Sequence, residues 1–218
     1  MRFPLLLLAF GLAACERPEP VDTPLVFDGE GAFIDDGAEN SSFAVFRDTL
    51  RAIVARQDTA AFLQMVAAKA QLSYDDAPDG PDGLRALWFS NETSPPEPLW
   101  TVFNRLLAAG SVEEDGAFTL PFVAGLWPED LDPFAHVAAV GDSTIARHQP
   151  GGSEVARLSG VLILPLSDNT NSDTWHVVLP DGSIAYIPRT SAVSPVGYRA
   201  TFWQDDGDWK LQVFVSGD

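Results

Sequence analysis

Beginning at Phe43, apolar side chains recur at Phe46, Leu50, Ile53 and Val54, a spacing that lays one apolar stripe along a helix. Ser41 or Ser42 is placed to cap it, and the pattern runs through Arg56. Asp58 caps a second helix that turns Phe62, Leu63 and Val66 inward. KAQLSY (69–74) reads as a short strand closed by the breaker-rich DDAPDGPDG. Asp82 then caps a short helix carrying Leu84, Leu87 and Trp88. In PPEPLWTVFNRLLAAG, Pro98 suits a first turn, Leu99, Phe103, Leu106 and Leu107 make one face, and Gly110 ends it. GAFTLPFV is extended, and WPEDLDPF (127–134) is the junction, its two prolines fixing the path of the chain.

From about Ala135 the period shortens. AHVAAV, STIAR, EVARL, VLILPL, TWHVVL and SIAYI alternate or run apolar, and the turn signals Gly-Asp, Pro-Gly-Gly, Asp-Asn-Thr-Asn-Ser and Pro-Asp-Gly separate them. Strands so short and regular predict a small closed barrel, which removes its own edges by curling. The last stretch, YRATFWQDDGDWKLQVFVSGD, predicts a hairpin. Trp209, Leu211, Val213 and Val215 alternate on one arm opposite Ala200 and Phe202, with the turn at Asp-Asp-Gly-Asp.

Two segments carry a resemblance. AVGDSTIARHQPGGSEVARLSG followed by TWHVVLPDGSIAYIP resembles a bacterial SH3-like (SH3b) domain of cell-envelope proteins. Ile145, Arg147 and Pro150 match its opening segment; Trp175, Val178, Asp181, Gly182, Tyr186 and Ile187 match its closing hairpin. The pattern departs at Ala146 and His148, and in the polar central loop. Helices first and a hairpin with Asp-Gly-x-Trp-Lys last resemble the nuclear-transport-factor-like fold. The expected class is therefore α+β: a mainly helical, nuclear-transport-factor-like N-terminal domain, a small SH3-like β-barrel and a C-terminal β-hairpin. The domain boundaries expected are 25–134 for the helical domain, 135–195 for the barrel and 196–218 for the hairpin. The hairpin is expected to pack on the N-terminal helices, with the barrel inserted; contacts with the barrel alone would rule this out.

The first residues change the picture of where the protein works. Arg2 and the apolar run from Leu5 to Ala13 make a signal sequence, too short to span a bilayer. Leu-Ala-Ala-Cys resembles the bacterial lipobox, which implies cleavage after residue 14 and lipidation of Cys15, the chain's single cysteine. Residues 15–24, rich in proline and charge, read as a tether. The resemblance implies a lipid-anchored envelope protein, and Glu16 favours the outer membrane, facing the periplasm, in a two-membrane source. The chain carries 31 Asp plus Glu against 13 Lys plus Arg, a formal charge of −18, which speaks against nucleic acid as a partner.

Candidate chemistry is sparse. With Cys15 committed to lipid, no thiol remains for a peptidase nucleophile. His136, His148 and His176 are scattered rather than clustered for zinc. DDGD (205–208) and DNTNSD (168–173) both miss the EF-hand spacing and read as solvated turns. Expected cofactors and metals are therefore none, and no catalytic residue is assigned. Tyr186, Trp175 and Arg147 are the candidate ligand-binding residues, Trp175 favoured as core and Tyr186 as the contact. The leading expectation is a non-enzymatic envelope lipoprotein whose SH3-like module binds peptide or peptidoglycan. The alternatives are a scaffold contacting another envelope protein and, more distantly, a small-molecule enzyme with a pocket in the N-terminal domain.

Overall fold

A computed structural model describes residues 24–74, 78–90, 95, 97–168 and 173–217. The leader, Cys15, residues 16–23 of the tether and residues 169–172 of the polar loop lie outside them.

The expected mainly helical N-terminal domain is overturned: the chain is 29% helix and 39% strand, with two mixed sheets. The first sheet has the order β2-β11-β10-β4-β3, built from β2 (Val66–Gln71), β3 (Val112–Glu114), β4 (Ala117–Leu120), β10 (Arg199–Asp205) and β11 (Asp208–Val215). Its middle is supplied by the last residues of the chain, which is why reading the N-terminal residues alone misses it. One face of this sheet is covered by α2 (Ser41–Arg56), α3 (Thr59–Gln64), α4 (Gly80–Phe89) and α5 (Leu99–Ala108). A short α1 (Asp36–Glu39) precedes them.

Local chemistry explains the helix ends. The Asn40 carboxamide accepts from the Phe43 amide at 3.0 Å, and Asp58 accepts from the Ala61 amide at 3.0 Å, each satisfying a donor with no helical partner. α4 starts at Gly80, with Asp79 rather than Asp82 at the cap position. The core between helices and sheet is aromatic: Phe43 stacks on Phe118 at 4.2 Å and meets Trp209 edge-on at 5.0 Å. Beneath, Phe103 packs against Phe62 and Phe214, each at 4.8 Å.

The second sheet follows the order β1-β6-β7-β8-β5-β9. Its strands are β1 (Leu25–Asp28), β5 (His136–Arg147), β6 (Glu154–Asp168), β7 (Thr174–Val178), β8 (Ile184–Pro188) and β9 (Ala192–Val193). An additional β5–β6 pairing closes β5, β6, β7 and β8 into a ring around Val137, Leu158, Leu164, Val177 and Ile187. The four segments AHVAAV, STIAR, EVARL and VLILPL are not separate strands but the two long arms of one hairpin. Gly-Asp at 141–142 is an irregularity within β5, not a turn. Gly141 (φ 128°) faces Gly160 (φ 72°) across the pair, and both sit in backbone that other residues avoid, so the hairpin bends there. β1, from the chain's beginning, lies parallel to β6 as an edge strand.

Three connections join the two sheets: 29–35, 121–135 and 194–198. Between them Ala109, Phe122, Val123, Ala138, Val161 and Val193 form a buried apolar seam drawn from both units. The relative placement of the units is fixed by packing as well as by the chain.

Candidate functional site

The closing hairpin β7–β8 turns at Pro-Asp-Gly. Gly182 (φ 83°) supplies the left-handed residue, and the exposed Asp181 carboxylate accepts from the Ser183 hydroxyl at 2.6 Å and its amide at 3.0 Å. Those bonds, the hydroxyl first, hold Asp181 below the usual carboxylate pKa. The register pairs Trp175 with Ile187 and His176 with Tyr186. Paired residues share a face of the sheet and neighbours alternate, so Trp175 and Tyr186 point to opposite sides.

Tyr186 lies on the outer side, stacked on the His176 ring at 4.3 Å. Arg147 pairs with Tyr186 across β5–β8 and donates to the Gly152 carbonyl at 2.8 Å, bracing the β5–β6 turn. Two of the three candidate residues, Tyr186 and Arg147, are thus brought together, and Trp175 is kept apart from them.

Trp175 sits at the end of the barrel core, half-buried against it. After Pro188 the chain makes a 3-10 turn, Arg189–Ser191, which lays the Arg189 guanidinium over the indole at 3.9 Å. The indole Nε1 is buried and makes no hydrogen bond. This end of the barrel faces the first turns of α5 and the returning segment 194–198. Between them lies a cavity of about 700 Å³.

The cavity wall from the helical unit carries Glu97, Thr101 and Arg105. Pro98 caps α5 with extended backbone, leaving Glu97 just outside the helix. Arg105 reaches it with a forked pair of bonds, Nη1 to Oε1 at 2.6 Å and Nη2 to Oε2 at 2.8 Å. The barrel side contributes Asp173, Trp175, Arg189 and Leu166, and the junction contributes the exposed Phe134. Tyr198 closes the floor, stacked on Phe214 at 5.4 Å and edge-on to Trp88 at 5.3 Å.

Burial, and then the charge of Arg105, depress the pKa of Arg189; Glu97 and Asp173 act in the opposite direction. Burial raises the Tyr198 phenol, a hydrogen bond with Ser216 working against it. The cavity therefore combines a largely apolar lining with four ionised groups of cancelling charge, gathered from both units.

Arg105, Glu97, Arg189, Asp173 and Tyr198 were not among the sequence candidates. The only local signal is Arg189 following the closing hairpin directly; nothing in spacing links it to Arg105, which belongs to the other unit. Among the described residues, no group of three or more His, Cys, Asp or Glu is placed to hold a metal ion, and no helix is long and apolar enough to cross a membrane. No family model, curated protein or solved structure matches the chain.

Proposed function

We propose that the protein is a non-catalytic binding protein of the cell envelope, anchored through a lipid on Cys15, whose barrel is an SH3-like module. Its ligand is a peptide segment of the cell-wall stem type, and it lies in the cleft between the barrel and α5 rather than on the outer Tyr186–Arg147 face. The observation that carries the reading is the cavity of about 700 Å³, within the general range of about 300–1,000 Å³ for ligand sites, where an apolar lining meets a few convergent polar groups. The apolar seam beside it supports a preformed site, because both walls are held in register without ligand. The formal charge of −18 disfavours nucleic acid and anionic surfaces as competing partners.

Titrating soluble protein, residues 16–218, with peptides released from purified cell walls tests this. Thr101 lines the cleft from α5, and Thr101→Trp fills it with a bulky ring. Calorimetry should show saturable binding to the unaltered chain and a loss of about tenfold or more in the filled variant, with its melting temperature unchanged. Equal affinities would remove the cleft from the reading.

A further inference from the structure

Resting on that reading of the cleft as a peptide site, we infer that it is built for a peptide's C-terminal end, with the terminal carboxylate held between Arg105 and Arg189 and the last side chains in the apolar part. The two guanidiniums come from different units, one from α5 and one from the turn after β8, yet line one concavity. This convergence runs against the composition, since acidic residues outnumber basic ones 31 to 13.

The cations lie near enough to act on each other, and Arg189 is partly desolvated. Glu97 and Asp173 already act against that repulsion, so a carboxylate arriving there is held through the guanidinium donors. Arg105 spends two donors on Glu97. A guanidinium has five, so the ion pair orients the fork without exhausting it. Thr101 and Ser194 add hydroxyl side chains to the lining, and Phe134, Leu166 and Val196 offer the apolar surface that terminal side chains need.

The charge count sets the ligand's limits. Glu97 and Asp173 balance the two arginines, so the cleft has no surplus positive charge for a polyanion, and a single carboxylate is held there by guanidinium donors rather than by net charge. The field of the whole chain rejects polyanions further. A peptide terminus carries that single carboxylate together with an apolar body.

The test compares three probes on the full soluble chain: a short peptide ending in apolar residues with a free carboxylate, its C-terminal amide, and 3-phenylpropionate. The free-carboxylate peptide should bind best. The amide should bind about tenfold or more weakly, because a charge-assisted bond is lost. Added salt should weaken the free-carboxylate peptide and leave the amide nearly unaffected. In Arg189→Gln, the gap in affinity between the two peptide forms should narrow. Equal affinity of acid and amide in the unaltered chain overturns the inference while leaving the cleft a peptide site. Tighter binding of 3-phenylpropionate overturns the peptide as the source of the carboxylate. No binding by any probe overturns the cleft reading itself.

Discussion

Trp175 and Tyr186 show how one residue of register decides a role. Both are aromatic, both stand on the closing hairpin, and the sequence places them on facing arms. The pairing of Trp175 with Ile187 and of Tyr186 with His176 sends them to opposite faces. Alternation along each arm was legible; which residues lie opposite each other depends on the turn and its hydrogen bonds. Arg189 was invisible as a site residue because its meaning comes from the Trp175 ring under it and from Arg105 in the other unit. Removing it by Arg189→Ala should lower stability by about 1–2 kcal/mol, the value of a partly desolvated cation–π contact, measured as a shift in the urea midpoint. Tyr198 gives an independent check. Its phenol is raised from the ordinary value near 10 by burial, so the neutral form is the one the fold favours. That contribution is complete below about pH 10 and is lost as the pH climbs through the raised value. Alkaline absorbance titration should show a late phenol component that disappears in Tyr198→Phe.

Helix positions followed from periodicity, but the caps only in part: Asp58 caps α3 as its place suggests, whereas Asn40 rather than Ser41 or Ser42 caps α2 and Asp79 rather than Asp82 stands at the cap of α4. Asn40 and Asp58 bond to the amides three places on, as a local rule requires. The strands were harder. β2 and β4 are short, and β10 and β11, which complete their sheet, come from the far end of the chain, so the N-terminal unit reads as helical until its sheet is assembled. Continuity across Gly141 and Gly160 was likewise hidden, since a glycine that bends a strand and a glycine that ends one look alike. The central place of β10 and β11 has a measurable consequence. In native-state hydrogen exchange their amides should be among the slowest in the molecule, while the edge strands β1 and β3 exchange sooner. Fast exchange throughout β10 and β11 would contradict a sheet that depends on the chain's last residues.

At the scale of the molecule, the two sheets are joined by three connections and by a buried seam drawn from both units. Calorimetric unfolding of residues 16–218 should therefore give one cooperative transition; two resolved transitions would mean the seam contributes little. The same seam holds open the cleft on which the account of function rests. Backbone-amide NMR during titration with a free-carboxylate peptide tests that claim most directly. Shift changes should gather at Thr101, Arg105, Trp175, Arg189, Ser194 and Tyr198, around the cavity. Changes confined instead to Arg147, His176 and Tyr186 would place the ligand on the outer face of the barrel and contradict the account.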